Sequence, residues 1–213
     1  MKPYKELQDY LQNKFSGLKL TQPLFFNEVP GLRFNLQDEQ FELSGGVDYL
    51  IEVNKRVNKI FKTITDDEDN LILYYNCFTW KRRKIRKGNF LFKQLINPEL
   101  VYQFRRSKDV EDKYWISDHS CQLIIMDKAR NINFKNIFMS ISNNDFYIKP
   151  RLDGELYIIN KTKNSIFLMY DDRGCDLISY NIDLLKNYYV ELTTLILEPN
   201  RAGIKERLEI MND

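Results

Sequence analysis

The chain has 213 residues, 43% of them hydrophobic and with 14 Phe, 13 Tyr and 2 Trp, enough apolar material for one sizeable core. Its 8 Gly and 6 Pro are too few for long disordered linkers. Lys and Arg total 32 against 30 Asp and Glu, a balance that excludes a globally basic nucleic-acid binder and leaves room only for a local basic patch.

Residues 4–15 place Tyr4, Leu7, Tyr10, Leu11 and Phe15 at helical spacing, which predicts a short amphipathic helix. Pro23, Pro30 and Gly31 then punctuate short apolar clusters, and Leu32, Phe34 and Leu36 alternate with Arg33 and Asn35 as in a strand. After Ser44-Gly45-Gly46 the period changes. Leu50, Val53, Val57, Ile60, Phe61 and Ile64 form one stripe with Lys55, Arg56, Lys59 and Lys62 opposite, the clearest helix in the chain. It stops before an acidic loop, Asp66-Asp67-Glu68-Asp69. Residues 71–80, LILYYNCFTW, are apolar, aromatic and too short for most helices, so they read as a buried strand.

A basic run follows: Lys81, Arg82, Arg83, Lys84, Arg86 and Lys87. Residues 90–104 read as a helix interrupted at Pro98. Residues 114–127 read as one or two strands, with Ser117-Asp118-His119-Ser120 as a polar turn between their apolar parts. Phe134, Ile137, Phe138 and Ile141 recover helical spacing, and Pro150 closes that region.

Residues 154–180, GELYIINKTKNSIFLMYDDRGCDLISY, hold three apolar runs and predict an antiparallel meander. Leu156 and Ile158 face one side, Tyr157 and Ile159 the other; Ile166, Leu168 and Tyr170 likewise oppose Phe167 and Met169. Both faces are apolar, so both should be covered. Asn181 then reads as an N-cap with Asp183 in the first turn. The stripe Leu185, Tyr188, Leu192, Leu195, Ile196 follows and ends at Pro199, and the charged tail from Arg201 reads as frayed chain or a short extra helix. Strands and helices mixed without a βαβ rhythm predict an α+β fold, an antiparallel sheet with amphipathic helices packed on it. Residues 1–213 are expected to form a single domain.

The first fifteen residues lack the apolar stretch of a secretory signal, and no apolar run approaches the roughly 20 residues of a membrane span. Cys77, Cys121 and Cys175 are widely spaced and form no CxxC pair. They are expected to be reduced thiols of a cytoplasmic protein, with no disulfide framework, metal site or cofactor.

Two blocks carry a family resemblance. The first is Gly31-Leu32-Arg33-Phe34, the helix with Tyr49, Arg56 and Ile60-Phe61, and Leu71 to Asn76. The second is Ile148-Lys149-Pro150-Arg151, Glu155-Leu156-Tyr157, and Tyr170-Asp171-Asp172-Arg173-Gly174-Cys175-Asp176. Their order and spacing resemble bacterial proteins carrying domain of unknown function 3885. The resemblance covers residues 31–197 as a core, with residues 1–30 as an N-terminal helix and extended segment. It implies a cytosolic bacterial protein and brings no activity, cofactor or catalytic residue. Some small α+β families of this kind act as immunity proteins that neutralise polymorphic toxins, an analogy of fold class.

Four constellations invite a functional reading. Asp171-Asp172-Arg173-Gly174 could hold a cation on its carboxylates or an anion on Arg173. Turn chemistry accounts for each residue without a ligand: an Asp accepting backbone N–H bonds, Gly174 supplying a positive φ, Arg173 anchoring a neighbouring carboxylate such as Asp176 or Glu155. The run from Lys81 to Lys87, next to Tyr74, Tyr75, Phe78 and Trp80, suits single-stranded nucleic acid or an acidic protein. His119, the only histidine, has Asp, Ser and Cys as sequence neighbours, but triad members rarely adjoin in sequence. Gly45-Gly46 lacks the rest of a phosphate loop. The expectation is a non-enzymatic protein-binding module with a protein partner, a toxin being one candidate, and no membrane contact. The alternatives are a nucleic-acid-associated protein using Lys81 to Lys87, and a metal-dependent hydrolase using Asp171 and Asp172.

Overall fold

The computed structural model describes residues 2–38, 47–79, 85, 89–111 and 116–210. Seven strands form one sheet: β1 (Gly31–Asn35), β2 (Asn70–Thr79), β3 (Val101–Glu111), β4 (Ile116–Lys128), β5 (Glu155–Asn160), β6 (Ser165–Met169) and β7 (Gly174–Ser179). The spatial order is β1-β7-β6-β5-β2-β4-β3, and every neighbouring pair is antiparallel. The helices are α1 (Pro3–Lys14), α2 (Val47–Ile64), α3 (Phe134–Ser142), α4 (Ile182–Glu191) and α5 (Arg201–Arg207). The architecture is α+β, as the sequence predicts. No described helix is long and apolar enough to cross a membrane.

Two cores flank the sheet, because its central strands are apolar on both faces. On one face Leu71, Leu73, Leu123, Ile125, Leu156, Ile158, Phe167 and Leu177 meet the stripes of α2, α3 and α4, with Ile204 and Leu208 closing the C-terminal end. On the other, Ile72, Ile124, Tyr157, Ile159, Ile166 and Leu168 meet Leu7 of α1, Phe15, Leu24 and Val29. The predicted α2 stripe is buried at every position, from Leu50 to Ile64. The β5–β6–β7 meander forms in the expected order. Asn181 caps α4, its side chain accepting from Leu184 N at 3.0 Å.

Three local readings are corrected. Residues 90–104 are not an interrupted helix: a single 3-10 turn, Phe90–Gln94, precedes β3. Asn89 caps that turn through Leu91 N, and Val101 onward pairs with β4 from Met126 backward. The segment 117–120 is not a turn either. Ser117, His119 and Ser120 lie inside β4, with His119 between Thr79 and Lys108 in the ladder; pairing with β3, and from His119 onward with β2 as well, holds polar residues extended against their own preference. The helix after Asn181 ends at Glu191, ahead of a separate 3-10 turn, Thr193–Leu195, rather than running to Pro199.

The acidic loop between α2 and β2 is pinned rather than freely solvated. Lys163 Nζ lies 2.9 Å from Asp66 and 3.5 Å from Asp69. Asp69 is buried and accepts from Asn160 Nδ2 at 2.7 Å, and Glu68 pairs with Lys128 and Arg130.

Candidate functional site at the Asp171 to Gly174 turn

The turn joins β6 to β7 beside β1, where Leu36 N donates to Arg173 O at 3.0 Å. Asp171 Oδ1 accepts from Arg173 N at 2.8 Å, and Arg173 Nε donates to Asp171 Oδ2 at 2.8 Å. The carboxylate anchored by Arg173 is therefore its own turn partner, not Asp176 or Glu155. The Arg173 side chain is 63% exposed, so this pair contributes little to stability, on the order of 0–1 kcal/mol.

Gly174 is required for space, not for a left-handed backbone as predicted. Among the described glycines only Gly17 and Gly154 have positive φ. A Cβ at Gly174 would lie 2.1 Å from Tyr170 Oη and 2.8 Å from Phe34 O, so the glycine lets β1 and the Tyr170 ring close over the start of β7. Gly174→Ala is expected to lose about 1–3 kcal/mol by overpacking, measured by urea denaturation. An unchanged midpoint would show that Tyr170 moves aside without cost.

The turn sends its groups to both sides of the sheet. On the helix side, Tyr49 of α2 donates to Asp172 Oδ2 at 2.6 Å in a buried contact. Burial foremost, and then the bond to Asp172, raise the Tyr49 pKa, while burial raises that of Asp172. On the α1 side, Tyr170 accepts from Arg33 Nη2 at 3.2 Å, and the Arg33 guanidinium lies 5.1 Å from the Phe26 ring and 5.2 Å from the Tyr170 ring. Beneath it sits Asp176, fully buried. Asp176 Oδ2 accepts from Phe25 N at 3.1 Å, but its Oδ1 is 3.7 Å from Arg33 Nε, and neither of those two atoms has a hydrogen-bond partner. Burial, only partly offset by Arg33, pushes the Asp176 carboxyl up to about 6. Arg33, Asn35, Gln37, Tyr170 and Arg173 line a cleft of about 430 Å³ over this cluster.

A second feature adjoins the turn, and sequence reasoning missed it. After α3 the segment 143–151 presents Phe146, Tyr147 and Ile148 to solvent; Tyr147 is 82% exposed. Its backbone is fastened. Tyr147 N and Ile148 N donate to Asn144 O and Asn143 O, both at 3.2 Å. The side-chain amides of Asn143 and Asn144 donate to Pro150 O at 3.1 Å and Leu152 O at 2.8 Å. Tyr147 takes a positive φ of 56°, uncommon for an aromatic residue, and Arg151 stands 5.3 Å from its ring. Phe146 meets Tyr49 at 5.7 Å, which ties this tip to Asp172 and the turn. The signal was Asn143-Asn144-Asp145, a turn-forming triplet immediately before three large apolar residues.

Asp171 and Asp172 are thus engaged by different partners, Arg173 and Tyr49. Among the described residues no group of three or more His, Cys, Asp or Glu is placed to hold a metal ion. Lys81 to Lys84, Arg86 and Lys87 lie outside the described residues. Ile85 alone is described in that run; it packs against the main core and shares a cleft with Arg105 and Arg106.

The family described as "Domain of unknown function (DUF3885)" matches residues 7–200. The chain belongs to this family. The DUF3885 match takes in most of α1, both cores apart from Ile204 and Leu208, and the whole turn. A relative in Bacillus subtilis (strain 168), "Uncharacterized protein YnaE", is 23% identical over 201 residues, covering 84% of this chain and 92% of its own length. No solved structure gives a significant match to this DUF3885 protein.

Proposed function

We propose that this DUF3885 protein is a non-enzymatic protein-binding module, contacting its partner through the Phe146-Tyr147-Ile148 tip and the adjoining Arg173. The observation that carries the reading is Tyr147, a large aromatic residue 82% exposed on a backbone held in a sparsely populated conformation by four hydrogen bonds. Backbone strain at an exposed site points from geometry to function. Rigid aromatic and arginine side chains carry most binding energy at protein interfaces and lose little entropy on docking. The narrower reading, an immunity protein whose partner is a polymorphic toxin, rests on analogy with other small α+β families.

The test is affinity capture from the native host with wild type, Tyr147→Ala and Arg173→Ala, followed by binding measurements on the captured partner. Both side chains are largely exposed, so both variants should keep their melting temperature. Tyr147→Ala should weaken binding about 30-fold or more, the effect of losing a hot spot of about 2 kcal/mol. A partner bound equally well by both variants would place the interface elsewhere. For the toxin reading, co-expression with a toxin encoded beside the gene should restore growth with wild type and fail with Tyr147→Ala.

One observation favours a second reading. Arg105 and Arg106 line a cleft together with Ile85, the described residue within the basic stretch of the sequence, and cations of this kind suit nucleic acid. Affinity for random-sequence RNA that falls steeply with salt, and disappears on charge reversal of Arg82, Arg83 and Arg86, would favour that reading over the protein partner.

A further inference from the structure

We propose that Cys77 and Cys121 are a redox-active dithiol, a modification site that oxidises to a disulfide joining β2 to β4. The two residues are far apart in sequence, but the fold makes them Cα partners in the antiparallel β2–β4 ladder. Directly opposed residues in such a ladder project from the same face, with Cα atoms about 4.5–5.5 Å apart. That spacing falls within the roughly 4.4–6.8 Å spanned by disulfides, so the bond forms without moving a strand. Both residues are thiols in the structure. The third cysteine, Cys175, lies on β7, beyond β5 and β6 from β2, and cannot reach either.

Access is graded. Cys77 is half-buried and Cys121 buried, but Cys121 lines the cleft of about 410 Å³ that it shares with Ile85, Phe104, Arg105 and Arg106. A small disulfide such as oxidised glutathione supplies the oxidant. The Cys77 thiolate attacks one of its sulfurs, forming a mixed disulfide and releasing one glutathione thiol. The Cys121 thiolate then attacks the Cys77 sulfur, closing the protein disulfide and releasing the second thiol. The two protein thiols lose two protons and two electrons, and the glutathione disulfide gains them. The bond clamps the C-terminal end of β2 to β4.

The experiment treats the folded full-length protein with oxidised glutathione, alkylates remaining thiols after unfolding, and maps unreduced peptides by mass spectrometry. A Cys77–Cys121 cross-linked peptide, alkylated Cys175, and a melting temperature raised by about 5 °C or more and restored by dithiothreitol are expected. Cys121→Ser should stop at a stable glutathione adduct on Cys77; Cys121→Ala replaces it if the serine variant unfolds. A wild-type protein that accumulates the Cys77 adduct without closing the cross-link would overturn the proposal. So would one whose two cysteines both stay unmodified while folded, or whose cross-link involves Cys175.

Discussion

Phe167→Ala is expected to cost about 3–5 kcal/mol of stability, the range for removing a fully packed aromatic ring. Phe167 sits on β6, only 2% exposed. Its ring lies 5.4 Å from Phe61 of α2 and 5.8 Å from Phe138 of α3. Phe61 in turn meets Phe134 at 4.4 Å and Phe138 at 5.0 Å. Four rings from two helices and a central strand therefore lean on one another. The walls of the resulting cavity are rigid: β6 is hydrogen-bonded on both edges, to β5 and β7, and its other face is filled by Ile166 and Leu168. Such a site cannot collapse, which puts the expected loss toward the upper end of the range. Equilibrium urea unfolding measures it directly. A loss below about 1 kcal/mol would mean that the ring cluster repacks and that the helices are not fixed against the sheet.

The burial of Phe167 is legible in the sequence because it stands in an unbroken apolar run, Ile166 to Met169, that leaves neither face for solvent. Where the period is strong, burial follows it: the α2 stripe, the β5–β6–β7 meander and the capped start of α4 all form where their residues predict. Local pattern fails where a distant partner decides the conformation. Residues 90–104 carry Leu91 and Leu95 four apart, a helical spacing, yet pairing with β4 makes the second half a strand. Ser117 to Ser120 look like a turn, yet pairing with β3, joined by β2 from His119 onward, keeps them extended. At the turn itself the residue types are legible and their partners are not. Gly174 answers to Tyr170 and Phe34, Arg173 to Asp171, and Asp172 to Tyr49 on another element. The exposed tip at Phe146 to Ile148 is hidden in the sequence because apolar residues are read first as core, and only the fold shows which of them face solvent.

The buried Asp176 gives the sharpest solution test of the cluster beneath the turn. Its carboxyl titrates at about 6 in the folded protein, against roughly 3.9 in an unfolded chain. The folded state therefore holds the proton more tightly, and between about pH 4 and pH 6 it binds more protons than the unfolded state. By linkage, stability must fall as pH rises through that window. Below about pH 4 both states are protonated and the residue adds no pH dependence; above about pH 6 the full penalty of a buried carboxylate is present. A shift of about two pKa units corresponds to about 3 kcal/mol. The physical cause is the unmade contact: Asp176 Oδ1 stops 3.7 Å from Arg33 Nε, so the guanidinium attracts the charge without hydrogen-bonding to that oxygen, and Phe25 N satisfies only the other oxygen. Asp176→Asn keeps an acceptor for Phe25 N and removes the titration. Relative to this variant, wild type should lose about 3 kcal/mol of unfolding free energy between pH 4 and pH 7. Taking the difference between the two proteins cancels the slope contributed by Asp172, whose pKa burial also raises. Parallel pH profiles for the two proteins would mean that Asp176 titrates in the fold as it does in the unfolded chain, and that Arg33 closes onto it as a direct pair that offsets its burial.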